Sequence, residues 1–149
     1  MRSRLLWVTC ALAVAGAMGA PDATAGPTGR ATGGGQIRHQ ANAADAVTFG
    51  FTADDGVKPS GHCDVVDHLQ GTHIVCIDVT VYLPSGTTAA TWFGDAQVNG
   101  VPALYRISVD DNGEPGVGAD TFSISAVSIS AGTYSAHGTL TQGDIQVHG

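Results

Sequence analysis

From Ala46 onward, apolar and polar side chains alternate with a period of two, the pattern of strands that bury one side and expose the other. Val47, Phe49 and Phe51 share one side of a strand over Ala46–Thr52. Val75, Ile77, Val79 and Val81 form a second stripe, with Cys76, Asp78 and Thr80 between them. Trp92, Gly94, Ala96 and Val98 keep the rhythm up to Asn99-Gly100, a dipeptide that favours the tight turn of an antiparallel hairpin. Beyond it Val101, Ala103, Tyr105, Ile107 and Val109 oppose Leu104, Arg106 and Ser108. Phe122, Ile124 and Ala126 follow, and Val127 and Ile129 fall into a phase slip that predicts a bulge. Tyr134–Leu140 and Asp144–His148 complete the series. Seven to nine short strands separated by Gly-rich turns predict an all-β domain, built as an antiparallel β-sandwich or a partly closed barrel.

The N-terminus breaks this pattern. Arg2 and Arg4 precede the apolar run Leu5–Ala15, and small residues follow, which reads as a secretory signal peptide over residues 1–25. The best small-x-small site is Ala23-Thr24-Ala25 before Gly26, with a cut near Gly19 or Ala20 as the alternative. Gly16 and Gly19 interrupt the run well short of the ~20 apolar residues that a membrane span needs. Cys10 lacks the preceding Leu-small-small pattern of a lipoprotein site, so the expectation is a secreted, extracellular protein with no membrane anchor after cleavage. Residues 26–35, rich in Gly, Thr, Ala and Pro, read as a flexible leader, and residues 36–149 as a single domain.

Composition narrows the classes further. The 149 residues are 13% charged and 43% hydrophobic, which fits neither a disordered polyelectrolyte nor a coiled coil. The formal net charge is −7, and removing Arg2, Arg4 and Asp22 with the signal peptide makes it −8. That sign disfavours binding nucleic acid or an anionic membrane by charge.

Cleavage would leave Cys63 and Cys76 in an oxidising compartment, where a disulfide is the default. A hairpin of Gly61–Val66 and Thr72–Val81 around Asp67–Gly71 sets the two cysteines directly opposite each other. Such a loop stabilises by ~3 kcal/mol on the chain-entropy model. Two reduced, buried cysteines are the alternative.

Two segments carry candidate chemistry. His62, Asp64, Asp67, His68 and His73 crowd the hairpin, and His62 and Asp64 project from the same face of a strand, so a few ligands for Zn²⁺ or Cu²⁺ could converge there. The bland alternative has Asp67 capping the turn through backbone amides while the histidines stay solvated. Asp110-Asp111-Asn112-Gly113-Glu114-Pro115-Gly116, with Asp120 nearby, gathers the oxygen donors that Ca²⁺ requires, Asp111, Glu114 and Asp120 being the candidate ligands. A turn in which Asp111 or Asn112 accepts backbone hydrogen bonds explains the same residues without an ion. No Gly-x-Ser-x-Gly elbow is present, and none of the six histidines makes the His-x-His of a copper–zinc superoxide dismutase. Nothing selects a pair among Asp64, Asp67, Glu114 and Asp120 for glycoside hydrolysis.

Gly33-Gly34-Gly35-Gln36-Ile37, Thr48-Phe49-Gly50-Phe51, Gly61 through Asp67-His68, Asp111–Gly116 with Asp120-Thr121-Phe122, and Gly138-Thr139-Leu140 with Gly143–His148 occur in that order. Together they resemble the post-COAP type of uncharacterised secreted bacterial β-domain proteins, across nearly all of the mature chain. The resemblance implies an extracellular β module without established activity, and Cys63 and Cys76 depart from its pattern. The expected function is a secreted, non-catalytic structural or binding module for an extracellular protein or glycan. A Ca²⁺- or transition-metal-binding domain is the alternative, and a small hydrolase the third reading.

Overall fold

The computed structural model describes residues 29–149, so the signal-peptide segment and the start of the leader lie outside the described residues. Nine strands follow in order: β1 Arg30–Arg38, β2 Ala46–Asp54, β3 Ser60–Asp67, β4 Thr72–Cys76, β5 Val81–Ser85, β6 Ala89–Val98, β7 Val101–Asp110, β8 Thr121–Ser128 and β9 Gly132–His148. A short 3-10 turn, His39–Ala41, leads from β1 towards β2. All pairings are antiparallel. Neighbours run β4-β3-β2-β1-β9-β8-β7-β6-β5, and an added β4–β6 pairing closes eight strands into a barrel with β5 as the extra strand. Of the two architectures open to the sequence, the barrel is the one adopted.

β4 and β5 lie end to end along the same edge of β6. Ile74 and Cys76 face Val98 and Ala96, whereas Val81 and Ser85 face Phe93 and Ala89. The chain bulges over Ile77–Thr80 between them, yet the amides of Ile77 and Thr80 still donate to the carbonyls of Asp95 and Phe93. This break corrects the expected Val75–Ile77–Val79–Val81 stripe. Ile74 and Cys76 take the buried positions, only Val79 of the four is buried, and Val75, Ile77 and Val81 face outward. Strand alternation holds within β4, but its phase is set by the inward disulfide rather than by the valines.

Cys63 and Cys76 are directly paired in register and joined by the disulfide, with Cα atoms 4.7 Å apart. They form the last pair between β3 and β4 before the chain leaves for β5. At the other tight hairpin, Asn99 (φ 49°) and Gly100 (φ 81°) both occupy the left-handed region, as the primed turn requires.

The inward sides fill the barrel. Phe49 stacks on Phe122 with centroids 3.9 Å apart, Phe51 lies 5.0 Å from Trp92, and Ile37, Ile74, Ile107, Ile124 and Ile145 close around them. β1 makes room for these rings with glycine: a Cβ on Gly33 would meet the Phe51 ring at 2.9 Å. That accounts for a second correction, since β1 begins at Arg30, inside the 26–35 stretch that its composition marks as leader. The expected bulge is also displaced. β8 pairs without interruption and turns Val127 outward, while the register shift lies between β1 and β9 at Gln36/Ile37.

Candidate functional site

Alternation along β3 divides the first candidate cluster. His62, Asp64 and His68 point outward, and Asp67 points into the barrel, where it is fully buried. His62 Nδ1 lies 3.1 Å from Thr52 Oγ1, and His68 Nε2 lies 3.0 Å from Thr48 Oγ1. Only Asp64 and His73 meet, with Oδ2 and Nε2 3.0 Å apart on the exposed surface. Asp67 Oδ1 accepts the amides of Leu69 (3.0 Å) and Gln70 (2.7 Å), and its Oδ2 accepts the Tyr134 hydroxyl at 2.9 Å. Asp67 therefore caps the turn, and the five residues do not surround one point. Among the described residues, no three His, Cys, Asp or Glu side chains are placed to hold a metal ion.

The acidic segment between β7 and β8 serves a different purpose. β8 pairs with β9 only as far as Thr139, which leaves the C-terminal half of β9 without a strand on that side. The segment takes the strand's place. Its buried Asp120 accepts the amides of Asn112 (2.9 Å, Oδ1) and Ile145 (3.0 Å, Oδ2), and Asp111 Oδ2 accepts Val147 N–H at 3.1 Å. Asp144 reaches back from β9 to accept Gly116 N–H, and the Asn112 side chain donates to Ala119 O. Glu114 is exposed, with Oε1 3.5 Å from Gln146 Nε2, and its peptide bond to Pro115 is cis. Asp120 and Asp111 aim at the amides of Ile145 and Val147, two residues apart on β9, while Glu114 faces solvent. Asp111 accepts a backbone amide as the turn reading expects, but that amide belongs to Val147 on β9 rather than to the turn, and Asn112 donates rather than accepts.

A third group went unnoticed in the sequence. Asp45 stands just before β2, only 4% exposed, and its Oδ1 has no hydrogen-bond partner. Burial pushes its carboxyl above the usual range, the facing Asp67 carboxylate adds to this, and His39 opposes it. Burial and the bond to Asp67 likewise push the Tyr134 hydroxyl up. Ahead of Asp45 runs a strap, residues 39–44, in which Gln40 (φ 51°) and Ala41 (φ 57°) are both left-handed without being glycine. The buried His39 fixes the strap to β9, its Nδ1 accepting His137 N–H at 3.1 Å while its ring stands edge-on to His137. Between strap and strand lies an open groove of about 620 Å³, bordered by Arg38, Gln40, Ala43, His137 and Thr139. An isolated Asp in Ala43-Ala44-Asp45-Ala46 carries no motif, and it is the β2–β3 pairing, with Val47 opposite Asp67, that brings it beside Asp67.

The outer wall from β4 to β8 carries exposed apolar side chains. Leu104 and Val127 are direct cross-strand partners, 65% and 55% exposed, and with Pro102 and Ile129 they border a shallow trough beside Asp95. Ile77, Val81 and Leu83 continue the exposed apolar positions on the β4–β5 side. Phe93 lies between these groups, with the Arg106 guanidinium 6.0 Å from its ring centroid. Of the adjacent pair Trp92-Phe93, Trp92 is inside and Phe93 outside, as neighbours on a strand must be. Set against known family models, curated proteins and solved structures, the chain matches none.

Proposed function

We propose that this chain is a secreted, non-catalytic interaction module that docks an extracellular protein through the outer wall of β4–β8. The observation that carries this reading is the group of exposed Ile77, Val81, Leu83, Leu104, Val127 and Ile129 on one side of a barrel whose interior is already packed. An apolar wall of this kind gains free energy when covered, at about 25 cal/mol per Å² removed from water. A protein partner suits it better than a glycan, because sugar faces stack on open aromatic rings. Trp92, Tyr82, Tyr105 and Tyr134 are buried here, and Phe93 is half-buried beside Arg106. Export is supported by the N-terminal segment and by the Cys63–Cys76 disulfide.

Site-specific photocrosslinking tests the reading in the organism that makes the protein. A crosslinker at Leu104 or Val127 is expected to capture the same extracellular protein, and one at His62 on β3 is not. Equal capture from His62, or glycan binding that survives Leu104→Asp, would overturn it.

A further inference from the structure

We propose that Asp45 and Asp67 share one proton at the strap end of the barrel, and that its loss lifts residues 39–44 away from β9. The two acids are not equivalent. A carboxylate offers about four lone-pair sites. Asp67 fills three of them with the amides of Leu69 and Gln70 and the Tyr134 hydroxyl, and so acts purely as an acceptor there. Asp45 is 4% exposed and its Oδ1 receives no donor, the surroundings of a protonated carboxyl. The remaining site on Asp67 takes the Asp45 proton. Removing that proton sets two like charges against each other.

The titratable groups facing Asp45 are Asp67 from β3, Tyr134 from β9 and His39 from the strap, with His137 behind His39. His39 holds the strap to β9 by accepting the His137 amide at Nδ1, and its own N–H donates to Asp45 O, so a displacement of Asp45 acts on that tether. The strap is built to move as a unit. It folds on itself through Asn42 N–H to His39 O, Asp45 N–H to Asn42 O and His39 N–H to Asp45 O, and left-handed Gln40 and Ala41 keep it under strain. Lifting it uncovers the His137 amide and widens the groove beside Arg38.

The test is an NMR titration of the folded protein from acid to mildly alkaline pH, following the Asp carboxyl carbons, the His137 amide and hydrogen exchange in the strap, corrected for intrinsic rates. Asp45 is expected to ionise above the ordinary carboxylate range, with the His137 amide shifting at the same midpoint and strap protection falling about tenfold or more. Asp45→Asn removes that step. Ionisation of Asp45 in the ordinary range, or strap protection unchanged through its titration, overturns the proposal, and both are read on the unaltered protein. The outcome is independent of the docking wall, which lies on other strands.

Discussion

Replacing Asp120 distinguishes a loop held by hydrogen bonds from one held by an ion. The carboxylate is fully buried and accepts the amides of Asn112 and Ile145, so Asp120→Ala leaves two donors without partners and the end of β9 without its substitute strand. Hydrogen bonds to a charged acceptor contribute about 1.5–3 kcal/mol each, which places the expected loss for the two at about 3–6 kcal/mol. Asp120→Asn keeps one acceptor oxygen but turns an NH₂ towards the other donor, and about half that loss is expected. Urea unfolding at neutral pH, read by tryptophan fluorescence from the buried Trp92, measures both. Calcium in millimolar excess is expected to leave the unaltered protein's midpoint where it was. A loss below about 1 kcal/mol for Asp120→Ala, or a midpoint that rises with calcium as ligand linkage demands, would refute the reasoning.

Asp45→Asn is expected to raise the urea midpoint at pH 7–8. The folded-state pKa of Asp45 is raised, so its contribution is fully present below the ordinary 3.8 and disappears as pH climbs through the raised value. The advantage of Asn therefore grows with pH, and a gap that is flat from pH 3 to 8 contradicts it. Ala41→Gly relieves a left-handed alanine, and thermal unfolding should show a gain of about 0.5–1 kcal/mol; a loss would mean that the strap is not strained as described. The double change Cys63→Ser, Cys76→Ser is expected to cost about 3 kcal/mol in chemical denaturation, and a cost near zero would remove the disulfide from the stabilising contacts.

What the sequence disclosed follows from how local each signal is. Val47, Phe49 and Phe51 point inward as their spacing requires, Asn99-Gly100 makes its turn, and the opposed cysteines pair in the expected register. These features depend on neighbours a few residues away. The outward turn of Val75 and Ile77 was hidden because apolarity alone does not say which side of a ribbon is buried, and here the half-cystine takes the inside. The glycines of β1 looked like linker because what crowds them, the Phe51 ring at Gly33 and the backbone of β9 at Gly35, lies on neighbouring strands. Asp45 needed the longest reach of all: its meaning arises from Asp67 and Tyr134, which arrive from β3 and β9.

The barrel joins its first strand to its ninth, with Arg30 opposite His148 and Gly33 opposite Ile145. No partial chain that lacks β9 satisfies both edges of its sheet, so the seam forms only after β1 has waited for everything between. Such a design makes folding slow and places the decisive event late.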